Sequence, residues 1–200
     1  GSNGKTIVKE WLYQCLWNEM PTVKSPKSFN SQIGLPLSLL QISNKHQLGI
    51  FEVGISKPSE MAVLEDIFSP KIGILTHIGT AHSSNFKNEE QLIEEKILLF
   101  KNSETILFNG DNVLVYNKIK DIYPDKKLIS FGLENRNDVK IISNPENLQE
   151  EIKVQYFSEE FSFPANQRDE ATLTNALALV CVMKELGFSN EKIVEKINAL

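Results

Sequence analysis

Two hundred residues, 41% hydrophobic and 24% charged, are enough for one well-packed domain with at most a small appendage. A net charge of −5, a pI near 5.3 and the lack of any lysine or arginine run argue against a nucleic-acid or acidic-membrane surface, while leaving room for a local anion pocket. No apolar stretch approaches a membrane span and no signal peptide is visible; Cys15 and Cys181 lie on apolar helical stripes without metal-ligand spacing, which suits core packing in a reducing cytosol.

The chain opens on Gly1-Ser2-Asn3-Gly4-Lys5-Thr6, the closing half of a phosphate-binding loop. In such a loop backbone N–H groups wrap phosphate oxygens, the lysine neutralises them, and the threonine hydroxyl can ligate Mg²⁺. The full pattern wants another glycine ahead of residue 1, and a strand that feeds the loop. Neither is in the chain, and there is no initiator methionine, so the sequence reads as a piece of a longer protein cut at the loop.

Ile7, Val8, Trp11, Leu12, Cys15 and Leu16 recur at helical spacing, so a helix starts at the loop and turns its N-terminal dipole toward the phosphates. Residues 22–32 read as irregular, and 33–42 as a short helix after Pro36. An apolar strand follows at 48–53, a helix at 58–68 opened by Pro58, a second buried strand at 72–78, and a helix at 88–100 started by Asn88. Then come a strand at 105–108, a helix at 112–120 and a strand at 128–131. This alternation predicts an α/β fold, three layers α/β/α with a mostly parallel sheet, the first strand missing. Short alternating stretches at 139–142, 152–157 and 161–163 predict a small antiparallel extension, and two helices, 171–186 and 190–200, close the chain.

Three further residues suit nucleotide chemistry. Glu52 ends the apolar run Leu48-Gly49-Ile50-Phe51, and a carboxylate at the C-terminal end of a buried parallel strand is where nucleotide-binding proteins hold Mg²⁺. A solvated strand end is the competing reading. His82 leaves the same edge of the sheet after the second buried strand, with His77 as its competitor. Lys96 falls inside the apolar stripe of its helix, among Leu92, Ile93, Leu99 and Phe100. A lysine there either snorkels to water or carries a depressed pKa, and a neutral amine can take up CO₂ as a carbamate, a carboxylate-like metal ligand.

In order and spacing, several segments resemble the central ATP-binding domain of the Mur ligase family over nearly the whole chain. They are Gly1-Ser2-Asn3-Gly4-Lys5-Thr6, Asn30-Ser31-Gln32-Ile33-Gly34-Leu35-Pro36, Glu52-Val53-Gly54, Ala81-His82 followed by Lys96, Asn109-Gly110-Asp111 and Asn175-Ala176-Leu177. Within the family, 25–30 and 33–37 are most similar to the branch that joins D-alanyl-D-alanine to UDP-N-acetylmuramoyl-tripeptide. Ser25-Pro26-Lys27-Ser28 and Asp169-Glu170-Ala171-Thr172 are similar to a variant fused to an alanine racemase.

The resemblance implies an ATP-dependent amide ligase of peptidoglycan precursor synthesis, cytoplasmic, working through an acyl phosphate. It implies flanking domains of the same chain, for the UDP-sugar on one side and for further nucleotide and amine contacts on the other. The loop residues Gly1, Ser2, Asn3 and Gly4 would hold the phosphates with Lys5, and Thr6 and Glu52 would hold Mg²⁺. His82 and a carbamylated Lys96 would hold a second cation, with Lys5, Lys96 and His82 forming the catalytic set. Asn30 and Asn109 match positions around the nucleotide, and Asn175 the adenine side. Two positions depart from the family: Ala171-Thr172 stands where His-Asn is usual, and His77 where asparagine is common. Another Mur-type ligase and a folylpolyglutamate synthase stay open as alternatives, as does a non-catalytic nucleotide-binding platform. A motor or switch ATPase fits less well, because the only arginines, Arg136 and Arg168, offer no evident arginine finger.

Overall fold

The apolar stripe behind the glycine turn folds as α1 (Lys5–Leu16) and buries Val8, Leu12, Cys15 and Leu16. The computed structural model describes residues 1–79, 85–147, 149–164 and 167–200. After α1 come β1 (Thr22–Lys24), α2 (Gly34–Leu39), β2 (Leu48–Ile50), α3 (Glu60–Ile67), β3 (Ile72–Leu75) and α4 (Glu89–Ile97), which a 3₁₀ turn at Leu98–Phe100 prolongs. Next are β4 (Thr105–Asn109), α5 (Val113–Ile122), β5 (Lys127–Gly132), β6 (Val139–Ser143), β7 (Ile152–Tyr156), β8 (Glu159–Phe163), α6 (Glu170–Glu185) and α7 (Asn190–Asn198). Side chains set several helix starts. Asn88, Asn112, Asp169 and Ser189 each accept a backbone N–H of the first turn, a cap worth about 1 kcal/mol.

β3, β4, β5 and β6 pair in parallel and β7 and β8 add antiparallel, in sheet order β3-β4-β5-β6-β7-β8. Successive residues of β4 serve opposite faces, as the pleat requires. Leu107 packs with α1 and α6, while Ile106 and Phe108 pack with residues of α3, α4 and α5. α6 is apolar nearly all round, with 175–183 wholly buried, because it lies on β4 to β6 while α1 and α7 cover it. At about 1.5–3 kcal/mol for each fully buried Leu, Val or Met, this helix is a main anchor of the domain. Gly73 in β3 is needed for close approach: a Cβ there would fall 2.2 Å from the ring of Phe100.

The fold departs from the sequence reading in four places. Residues 22–32 are not wholly irregular, since Thr22–Lys24 forms β1 and pairs in parallel with β2. The short helix starts at Gly34, before Pro36, which its first turn accommodates because those amides lack intrahelical acceptors anyway. The first strand of the extension, β6, joins β5 in parallel, so the antiparallel part begins only at β7. The sheet is also split: β1 and β2 form a separate pair. Between β2 and β3 lies a mostly apolar slot of about 520 Å³, lined by residues 48–53 and 72–76 together with Leu12, Met61 and Phe100. Gly1 sits at this slot against Thr76, where a Cβ would come within 2.1 Å of the hydroxyl.

Candidate active site

The loop before α1 is tied to the C-terminal side of β3. Ser2 N–H donates to the His77 carbonyl at 2.7 Å and Asn3 N–H to the same oxygen at 3.3 Å. Thr76 Oγ1 donates to Asn3 O at 2.6 Å, and Ser2 Oγ to Gly79 O at 3.1 Å. His77 thus holds the loop through its backbone carbonyl, which any residue supplies. Gly4 has φ +83°, a left-handed conformation natural to glycine, and a Cβ there would meet Asn175 Oδ1 at 2.4 Å. The amides of the first turn of α1 follow directly, without intrahelical acceptors and at the positive end of the helix. Lys5 folds back over the loop, Nζ donating to Ser2 O at 3.0 Å, and burial lowers its pKa.

Glu52 lies just past β2, 5% exposed, with both carboxylate oxygens engaged. Thr6 Oγ1 donates to Oε2 at 2.8 Å and Asn30 Nδ2 to Oε1 at 2.7 Å. Residues 46 and 22 positions apart in sequence therefore converge on one carboxylate. The solvated-strand-end reading does not hold for Glu52. Hydroxyl and carboxylate side by side, next to the glycine turn and the free amides of α1, form an oxygen-only donor set that fits a small hard cation.

Lys96 does not snorkel. It is 4% exposed, and its Nζ donates to Gly1 O at 3.4 Å. Burial, with the Lys5 charge second, pulls its pKa down to about 8. Together with Ser2, Lys5, Asn30, Gly54 and Glu60 it lines a cavity of about 410 Å³ at the loop. The slot between the sheets is larger and mostly apolar; Lys5 and Lys96 border both cavities, while Glu52 lines the slot and Asn30 the smaller cavity.

The other expected residues fare differently. Asn175, 8% exposed, packs behind Gly4 and so shapes the loop from its protein side. Asn109, at the end of β4, turns its Oδ1 onto the Asp111 N–H at 3.0 Å and is not among the cavity-lining residues. Thr172 donates its hydroxyl to the cap residue Asp169 at 2.6 Å. His82 lies outside the described residues. Among the described residues no three of His, Cys, Asp and Glu gather as a metal cluster, and no helix is long and apolar enough to cross a membrane.

One residue escaped the sequence reading. Lys9, 3% exposed, reaches Ser25 O at 3.0 Å and Lys27 O, with Glu52 Oε2 at 3.9 Å. The available signal was the one that exposed Lys96: a charge next to Val8 and Leu12 on a buried helical stripe.

A sequence model of the Mur ligase middle domain matches residues 1–183. The chain is 39% identical over 139 residues to the UDP-N-acetylmuramoyl-tripeptide–D-alanyl-D-alanine ligase of Borreliella burgdorferi, covering 68% of this chain and 30% of that protein. The MurF ligase of Thermotoga maritima, solved in complex with ADP, superposes with a TM-score of 0.76 at 26% identity, over 97% of this chain and 46% of that one. A crystal structure of MurF from Acinetobacter baumannii gives a TM-score of 0.86 over 98% of this chain and 44% of that one; at 24% identity it speaks for the fold alone. The chain spans less than half the length of these relatives.

Proposed function

The chain belongs to the Mur ligase family through its middle domain, and from that premise we propose that it is the ATP-binding part of an ADP-forming ligase that joins D-alanyl-D-alanine to UDP-N-acetylmuramoyl-tripeptide. The observation that carries the reading is the convergence of Gly4, Lys5, Thr6, Asn30, Glu52 and Lys96 at the loop and its cavity. The 39% identity to a ligase of that name supports the choice of substrates, and the ADP-bound relative supports ATP as the phosphoryl donor. Such substrates belong to the cytoplasm.

The terminal carboxylate of the muramoyl tripeptide attacks the γ-phosphorus of ATP, ADP leaves, and an acyl phosphate forms. The amine of D-alanyl-D-alanine then attacks the acyl carbon, expels phosphate and gives the amide. Catalysis of this kind rests on positioning and charge neutralisation. Residues 1–4 and the first-turn amides of α1 seat the phosphates, and Lys5 swings from Ser2 O to their oxygens. Asn30 steadies Glu52 beside the nucleotide. Thr6 and Glu52 would hold Mg²⁺, which when bound would supply neutralisation of phosphate charge. Lys96, from the cavity wall, would serve the transferring group as an ammonium or, after CO₂ uptake, would with His82 hold a second cation, as the family resemblance implies. Asn109 enters the reading through the family match, and Asn175 as a support of Gly4.

Flanking domains complete the active protein, consistent with relatives more than twice as long.

Phosphate release by the full-length protein, with ATP and Mg²⁺ against a panel of acceptor pairs, tests the assignment. Release that requires both proposed substrates supports it. Release with another pair moves the substrate assignment within the family, and tight ATP binding without release under any pair favours a non-catalytic platform.

A further inference from the structure

We propose that Lys9 is a positioning residue for the Thr6–Glu52 cation site, acting through the loop at 25–30. The inference rests on the reading of Thr6 and Glu52 as the Mg²⁺-holding pair. Lys9 lies on α1 just beyond Thr6, and its side chain is 2% exposed. A buried ammonium has three N–H donors to satisfy. Here Ser25 O at 3.0 Å, Lys27 O and Glu10 Oε1 at 3.3 Å lie around it, with Glu52 Oε2 slightly farther at 3.9 Å.

Two of those acceptors are carbonyls of a single turn, and that turn clamps Glu52. Ser25 Oγ accepts the Glu52 N–H at 3.1 Å, Ser25 N–H donates to Ile50 O at 3.0 Å, and Asn30 O accepts the Gly54 N–H at 2.8 Å. Asn30 Nδ2 then reaches Glu52 Oε1. Between these fixed points Lys27 sits at φ +49°, a left-handed conformation that a lysine keeps only when its surroundings hold it. Lys9 supplies that hold from the helix side. Thr6 and Lys9 both project from α1, so the helix that carries the phosphate loop also sets the loop that aims Asn30 at the carboxylate. The two halves of the site are thereby fixed to one rigid element.

The experiment is calorimetric titration of the full-length protein with ADP, with and without Mg²⁺, which needs no turnover. In the wild type Mg²⁺ raises ADP affinity. In Lys9→Met the Mg²⁺-dependent gain should fall about tenfold, the scale of losing an outer-shell partner of a metal ligand, while Mg²⁺-free affinity, set by the loop amides and Lys5, holds within about twofold. A purely structural lysine would lower both together. Asn30→Ala should show the same selective loss with Lys9 intact, and the double variant should lose no more than the larger single loss, because both act on one route. A Mg²⁺ gain unchanged in folded Lys9→Met, or losses that multiply, would overturn the proposal. If Lys9→Met does not fold, an unchanged gain in Asn30→Ala overturns it and a selective loss sustains the route. Absence of any Mg²⁺ gain in the wild type refutes the cation reading itself, a result distinct from a gain that survives Lys9→Met.

Discussion

Replacing Lys96 with methionine removes a charge that the fold holds at a cost. Methionine keeps an unbranched chain of similar reach without the ammonium. In the folded protein Lys96 is 4% exposed, its Nζ is 3.4 Å from the Gly1 carbonyl, and the nearby Lys5 charge repels it. Its pKa accordingly drops to about 8, against about 10.4 for lysine in an unfolded chain. That difference corresponds to about 3 kcal/mol at about 1.36 kcal/mol per unit, a ceiling because burial relaxes in part. The sign follows from proton counting. Between pH 8 and about 10.4 the unfolded chain binds more protons at this residue than the folded one, so stability rises with pH across that window; below it the full cost is present. Lys96→Met should therefore be more stable than the wild type at pH 7, by up to about 3 kcal/mol, with the advantage shrinking toward zero near pH 10.5. Urea unfolding at a series of pH values, in CO₂-free buffer with chelator, measures both curves. Parallel curves, or a variant less stable at pH 7, would refute the placement of a buried, charged amine in this wall. A stabilised but inactive variant is the pattern of a residue kept for chemistry at the expense of stability.

Gly4→Ala must place a side chain at φ +83° and 2.4 Å from Asn175 Oδ1. The left-handed strain alone is about 1–2 kcal/mol; thermal melts should show a larger loss, partly recovered by adding Asn175→Ala, and equal stability of Gly4→Ala and wild type would refute the loop geometry. Glu52→Gln keeps the shape around Thr6 and Asn30 but removes the charge, so phosphate release by the full-length protein should need at least about tenfold more Mg²⁺; an unchanged Mg²⁺ titration moves the cation elsewhere. Lys5→Ala should abolish release, by about 10²-fold or more. Lys96→Ala should regain activity with added short carboxylates if the carbamate is the working form, whereas full activity without them would leave Lys96 no part in the reaction.

Where the sequence was legible, the signals were local. The loop hexapeptide, the stripe from Val8 to Leu16, Asn88 and Asn112 at their helix starts, and the apolar runs that became β3, β4 and β5 each depend on neighbours within a few residues. Periodicity and capping act over one or two turns. β1 was missed because three residues after Pro21 hold too short a pattern, and its pairing with β2 is what makes it a strand. Lys9 was overlooked although it stands on the same kind of apolar stripe as Lys96. What sets it apart is its carbonyl partners, 16 and 18 residues away.

By itself, the sequence determined the glycine turn at the start of α1, the alternation of strands and helices and the place of Lys96 on an apolar helical stripe, because these follow from residue type at fixed spacing. Tertiary structure alone decided that Thr6 and Asn30 meet on Glu52, that Lys96 faces a cavity instead of water, and that Asn109 is spent on its own turn. The physical reason is reach. A hydrogen bond is decided within about 3 Å, and across tens of residues of chain that distance is set by how α1, the 25–30 loop and the sheet edges pack, which no local spacing encodes.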